Sequence, residues 1–199
     1  PALPLEALRT VISCAMIQIG RHKPVWDPVA PDRQQISFIY VKRAYFDAKL
    51  DAEAKPVYVA LPTEDADHVS MCAQLVWHMY GTRGAADGWQ EEYSTMLINL
   101  EFQQGESCPN VFRHTERDIC MSVHGDDFTA VGPKKSLDWY EAVLEAKYEL
   151  KRGGRLGPGR NDDREATCLN RAIRWCDHGL EYEADPRQVE KLVQELELE

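Results

Sequence analysis

Apolar positions along the chain recur with two periods, and the period decides which element each stretch predicts. Leu5, Leu8, Val11, Ile12, Met16 and Ile19 follow helical spacing, so residues 4–19 read as an amphipathic helix. Residues 20–35 are rich in proline and charge and read as a loop. Ile36–Val41 is β-branched and aromatic, which predicts a buried strand. Val57–Leu61, bounded by Pro56 and Pro62, reads as a second strand. Residues 81–88 ("GTRGAADG") read as a flexible turn, and helical spacing returns from Trp89 to Leu100.

Three short strands are predicted next, at Asn110–His114, Asp118–His124 and Phe128–Gly132. Leu137–Leu150 reads as a helix whose stripe is Leu137, Tyr140, Val143, Leu144 and Tyr148. Residues 151–165 ("KRGGRLGPGRNDDRE") are dense in glycine and charge and read as a loop. Residues 168–176 alternate, with Leu169, Ile173 and Trp175 on one face, and "DHG" turns the chain back into a hairpin. Pro186 opens a last helix behind a capping Asp185. Strands and helices alternate and hairpins intervene, so the expected fold class is α+β.

Composition adds bounds. The chain has 199 residues, 44% of them hydrophobic, which supports a packed core and argues against wholesale disorder. No apolar run approaches the ~18 residues of a membrane span, and no membrane partner is expected. No charged-then-apolar leader opens the chain, and its start at Pro1 suggests a piece of a longer protein. A net charge of -10 disfavours a surface that attracts nucleic acid everywhere. The charge is uneven, however: Lys147–Arg174 carries eight basic residues against four acidic ones, and Asp177–Glu199 eight acidic against two basic. That band suits either phosphate binding or a solvated loop. The six cysteines form no C-x-x-C pair and read as free thiols in a reducing compartment. Cys168, Cys176 and His178 can be written as a zinc set, but a fourth ligand is missing.

The stretch "HGDDF" (His124–Phe128) is the main chemical candidate. Gly125 permits a tight turn, and Asp126 and Asp127 follow it at once. Two adjacent carboxylates repel unless water or a cation separates them. The pair is therefore either a solvated turn or part of a Mg²⁺ site serving phosphate chemistry. Apolar strand on both sides favours a central hairpin over a surface tip.

At this point the chain resembles a known family, the reverse transcriptase of copia-type LTR retrotransposons. The likeness runs from "PLEALR" to "EADPRQVEKLVQEL" and rests on the order of several segments. "VKRAYFDA" resembles the family's first palm motif, Asp-Val-Lys-x-Ala-Phe, and "VYVALP" the stretch after it. "QLVWHMYGTRGAADGWQEEY" is similar to a Tyr-Gly-Leu-Lys-Gln-Ala-Pro-Arg-x-Trp segment, keeping Tyr80, Gly81, Ala85 and Trp89. "SCPNVFRH" resembles Ser-Asp-Pro-Cys-Val-Phe. "SVHGDDF" takes the place of Tyr-Val-Asp-Asp, and "LNRAIRW" that of the following strand.

The resemblance implies a polymerase palm, an antiparallel sheet with helices packed on one face, plus partial fingers. It divides residues 1–199 into an N-terminal helix and loop (1–35), palm motifs with a fingers insertion (36–150), the glycine-rich loop (151–165), and a hairpin with a C-terminal helix (166–199). It implies template-directed DNA synthesis with two Mg²⁺ (or Mn²⁺) ions held by three aspartates. Asp126 and Asp127 take the catalytic, metal-binding hairpin positions. Tyr45, Lys42 and Arg43 are the implied nucleotide-binding residues. Arg83, Lys151, Arg152 and Arg155 are the expected nucleic-acid contacts. Implied partners are an RNA or DNA template-primer, deoxynucleoside triphosphates, and RNase H and integrase regions of the same polyprotein. By the same analogy the location is cytoplasmic, in virus-like particles, or nuclear.

One departure bears on activity. The family's first aspartate falls on Tyr40, and a neutral phenol is a poor ligand for a hard cation. Asp47 lies seven residues further on, up to ~23 Å along an extended strand. Gly84, Ala86 and Asp87 replace the family's Gln, Pro and a basic residue. Polymerisation is therefore expected to be impaired. Three other readings stay open: a catalytically dead nucleic-acid-binding remnant, a viral RNA polymerase suggested by "GDD" alone, and an unrelated α+β protein with an incidental acidic turn.

Overall fold

The computed structural model describes residues 5–17, 25–51, 55–183 and 186–196. Ile19 of the first predicted helix and the capping Asp185 lie outside them. In chain order the elements begin with α1 (Leu5–Ser13), β1 (Gln34–Val41) and a 3-10 turn at Ala44–Asp47. β2 (Tyr58–Ala60), β3 (Cys72–Gln74) and α2 (Ala85–Asn99) follow. Next come β4 (Gln103–Gln104), β5 (Val111–His114), β6 (Ile119–His124), β7 (Asp127–Pro133) and α3 (Lys134–Lys147). The chain closes with β8 (Leu150–Leu156), β9 (Glu165–Cys168), β10 (Arg171–Cys176), β11 (Gly179–Glu183) and α4 (Pro186–Glu195). The fold is α+β, as its alternating patterns predict.

The chain divides into two compact units, residues 43–100 and residues 1–42 with 101–199. The larger unit is built on a six-stranded sheet in the order β4-β5-β6-β7-β1-β8. Every pairing in it is antiparallel. β7 and β8 flank β1 and are joined through α3, which makes a split β-α-β arrangement. β1 is buried along nearly its whole length, as its continuous apolar run predicts for a strand covered on both faces. It starts at Gln34 rather than Ile36, because the backbones of Gln34 and Gln35 pair with Pro133 and Gly132.

Helices do not pack on a single face, which corrects the expected palm layering. α3 lies against β7 and β1 on the face that carries Ser37, whose hydroxyl donates to Glu141 Oε1 at 2.6 Å. α1 covers the other face. Its Leu8, Val11 and Ile12 share a core with Ile36, Phe38, Cys120, Val131 and Leu156. Ala166, Cys168, Ile173 and Trp175, from the three-stranded β11-β10-β9 sheet, complete that core. Both faces of the large sheet are apolar, so both need cover.

A second correction concerns residues 151–165. Their first six residues belong to β8, not to a loop. β1 presents a free row of N–H and C=O groups on that side, and β8 satisfies them whatever its side chains are. The register shifts between Phe38 and Ile39, where Gly153 and Gly154 form a bulge. Gly154 has φ +123, and a Cβ on Gly153 would meet the Phe38 Cβ at 3.2 Å, so two glycines are what lets the strand pass.

Residues 168–170 also depart from the expected continuous strand. Leu169 and Asn170 both have positive φ and form the two-residue turn between β9 and β10. Leu169 therefore lies in the turn rather than in a strand, yet it still packs against the core that holds Ile173 and Trp175.

The smaller unit holds a two-stranded β2–β3 sheet and α2. β3 was not predicted: Cys72–Gln74 carries no strand pattern and is ordered by pairing with Tyr58–Ala60. Residues 85–88, read as part of a flexible turn, are the first turn of α2. Gly88 is needed there because its missing side chain leaves room for the buried His78 ring. Trp89, Tyr93 and Leu97 form the buried face of α2. Among the described residues no helix is long and apolar enough to cross a membrane.

Candidate functional site at the β6–β7 hairpin

The hairpin tip is a two-residue turn, since His124 pairs directly with Asp127. Of its two central residues only Gly125 has positive φ (62°), the requirement at the first position of a type II′ turn. The two aspartates therefore differ in placement. Asp126 sits in the turn, and its carbonyl accepts a 2.9 Å hydrogen bond from the Val41 amide. Asp127 is the first residue of β7 and points to one face of the sheet.

On that face the register sets a row across four strands: His124, Asp127, Tyr40 and Lys151. Residues directly opposite in an antiparallel ladder share a face, so the Tyr40 and Asp127 side chains are neighbours. This is the place where the resemblance puts a third carboxylate. Asp126 and Asp127 are both half-buried. Burial first, and then the charge of Asp126, raise the Asp127 pKa above its ordinary value, with His124 acting in the opposite direction.

The same face runs under α1 and β9. A gap lined by Leu8, Ser122, His124, Asp127, Thr129 and Cys168 is too narrow for a water molecule. Thr129 Oγ1 meets Cys168 Sγ at 3.5 Å within it. Ser122 Oγ and His124 Nδ1 are buried there without a hydrogen-bond partner among the described residues.

These residues do not fit a two-ion Mg²⁺ centre. Octahedral Mg²⁺ needs hard oxygen ligands and room for its waters or for phosphate. The third position is a phenol, and the adjoining gap is too narrow for a water molecule. Among the described residues, Asp126 and Asp127 join no set of three or more ligating side chains within 4.8 Å of one another.

The remaining site candidates divide between the units. Lys42, at the end of β1, places Nζ 2.8 Å from Glu149 Oε1. Arg43 (φ 56°), Tyr45 and Arg83 belong to the smaller unit. The Tyr45 ring stacks on Tyr80, with centroids 4.3 Å apart and planes tilted by 38°. Arg83 is exposed, just before α2.

Lys151 is exposed beside Tyr40. Arg152 and Arg155 instead join a ladder of α3 carboxylates. Arg152 reaches Glu145 at 3.0 Å and Glu141 at 3.4 Å, while Arg155 pairs with Asp138 and reaches Glu141 at 3.6 Å. Their charges are thus largely engaged within the fold. His124 was not singled out in the sequence. The signal that finds it is the two-residue turn, which sets the residue before Gly125 opposite Asp127.

Neither protein-family models nor curated proteins give a match to this chain.

Proposed function

We propose that this chain is a reverse-transcriptase-type palm, with a partial fingers segment in residues 43–100, whose two-ion chemistry has been lost at one position. The observation that carries the reading is the ladder that sets Tyr40 against Asp127. A β-hairpin with an acidic tip, flanked by a strand that ends at Tyr40 and Val41 just before Lys42, supports descent from a polymerase. Tyr40 at that register position, and the closed gap beside Asp127, support a form that does not extend primers. The partners that follow are an RNA or DNA template-primer and deoxynucleoside triphosphates, with Mg²⁺ or Mn²⁺ needed only by a restored site. RNase H and integrase regions of a common polyprotein belong to the same reading.

The test is reversion of the tyrosine. Wild type should show neither saturable Mn²⁺ binding at the hairpin nor primer extension. Tyr40→Asp should gain Mn²⁺ binding, and Asp126→Asn placed on top should abolish that gain. Template-directed extension by Tyr40→Asp would establish the polymerase reading. Failure of Tyr40→Asp to bind Mn²⁺ would sink it.

A further inference from the structure

On the outer face of the small sheet, away from the acidic hairpin, three chemically different ligand groups converge. Cys176 and Gly179 are the paired residues that close the β10–β11 hairpin, with Asp177 and His178 as its turn. Cys176 and Glu181 point to the same side, because Gly179 and Glu181 are two apart on β11. Trp175, Ile173, Ala166 and Cys168 point to the core instead. This replaces the zinc set written from the sequence: Cys168 faces inward, and Glu181 stands in its place.

Neighbouring charges leave Glu181 turned toward the hairpin tip. Its cross-strand partner is Arg174, but that guanidinium binds Glu165 at 2.7 Å and also pairs with Glu183. Glu181 Oε1 lies 3.4 Å from His178 Nε2. The Cys176, His178 and Glu181 ligand atoms all lie within 4.8 Å of one another. A tetrahedral ion with bonds of ~2.0–2.3 Å sets its ligands about 3.4 Å apart. Small rotamer changes at an exposed hairpin close the difference.

We propose that Cys176, His178 and Glu181 form a zinc site with three protein ligands and an open fourth position. A thiolate with an imidazole selects Zn²⁺ over Mg²⁺ or Ca²⁺, and the carboxylate supplies a further anionic ligand. Cys176 and His178 also line an open pocket of about 500 Å³ with Met16, Trp26, Arg164 and Trp175. The fourth position, open at the surface, takes water or a small anionic ligand. This site is independent of the polymerase reading, since it uses none of the hairpin aspartates.

The experiment uses the full chain, stripped of metal, with Co²⁺ as a spectroscopic probe and Zn²⁺ in calorimetry. Cys72→Ser is the background, because Cys72 is the exposed thiol among the described residues, the others being buried or half-buried. Co²⁺ should give a thiolate-to-cobalt charge-transfer band in the near ultraviolet, displaced by one equivalent of Zn²⁺. Cys176→Ser should remove the band. His178→Ala and Glu181→Gln should each weaken Zn²⁺ binding at least about tenfold, since even partners behind the ligands are worth that much. All three positions are at the surface, so circular dichroism should stay unchanged. A band that survives Cys176→Ser, an affinity indifferent to His178→Ala or Glu181→Gln, or a loss of binding with Asp126→Asn would each overturn the site.

Discussion

Tyr40 and Asp127 face each other across the β1–β7 ladder, side chains on one face, at the mouth of the β6–β7 turn. A phenol beside a carboxylate is a stable pair without any cation. A second carboxylate in its place would not be, and that contrast is measurable.

Tyr40→Asp should lower stability at pH 7 by about 1–3 kcal/mol in metal-free buffer, through like-charge repulsion in a half-buried site. Millimolar Mg²⁺ should restore most of the loss, because an ion bound only by the folded state stabilises it. Urea denaturation with and without Mg²⁺ reads both effects. Wild type should show no Mg²⁺ dependence.

Asp127 has a raised pKa in the folded protein. Between the unfolded and folded values the native state binds more protons, so stability falls as pH rises through that window. The loss persists above it. Asp127→Asn should flatten this part of the profile and leave the protein more stable than wild type at pH 7. Denaturant midpoints from pH 3.5 to 7 decide it, and a steeper fall in the variant would contradict the burial argument.

Arg33 and Asp162 form a largely buried two-point pair, at 2.7 and 2.5 Å, with side chains 13% and 4% exposed. Burial works against ionisation of Asp162, but hydrogen bonds from Arg33, Gln35 and the Gly159 amide outweigh it and hold its pKa at about 2. A depressed carboxylate adds stability above its ordinary value of 3.8 and loses it as pH falls toward 2. Asp162→Ala should cost about 3 kcal/mol at pH 7, because it strands a guanidinium that is mostly shielded from water. The cost should shrink below pH 3.

Arg152 and Arg155 hold α3 carboxylates, whereas Lys151 is exposed on the opposite side of β8. Arg155→Ala should cost about 0.5–1 kcal/mol of stability, in the range of partly exposed ion pairs. Lys151→Ala should leave stability unchanged. Any salt-dependent affinity for a template-primer duplex should respond to Lys151→Ala more than to Arg155→Ala. Thermal melts and fluorescence anisotropy separate the two effects.

Strands β1, β6 and β7 were legible because their apolar runs match the burial they meet, and Gly125 marked the turn. β8 was not legible. "KRGG" has no strand period, and its conformation is imposed by the unpaired edge of β1 and by a glycine bulge. The placement of α1 and α3 on opposite faces was equally hidden. A strand buried on both sides announces that it is covered, but not by which helix.

By itself the sequence determined where chain turns and apolar strands fall, and it placed two adjacent carboxylates at a hairpin tip. Those features depend on local backbone freedom and side-chain period. Only the tertiary structure decided that Tyr40 stands beside Asp127, that Arg152 and Arg155 serve α3, and that Glu181 joins Cys176 and His178. Each of these is a matter of register or of competition between charges distant in the chain, and no local pattern encodes either.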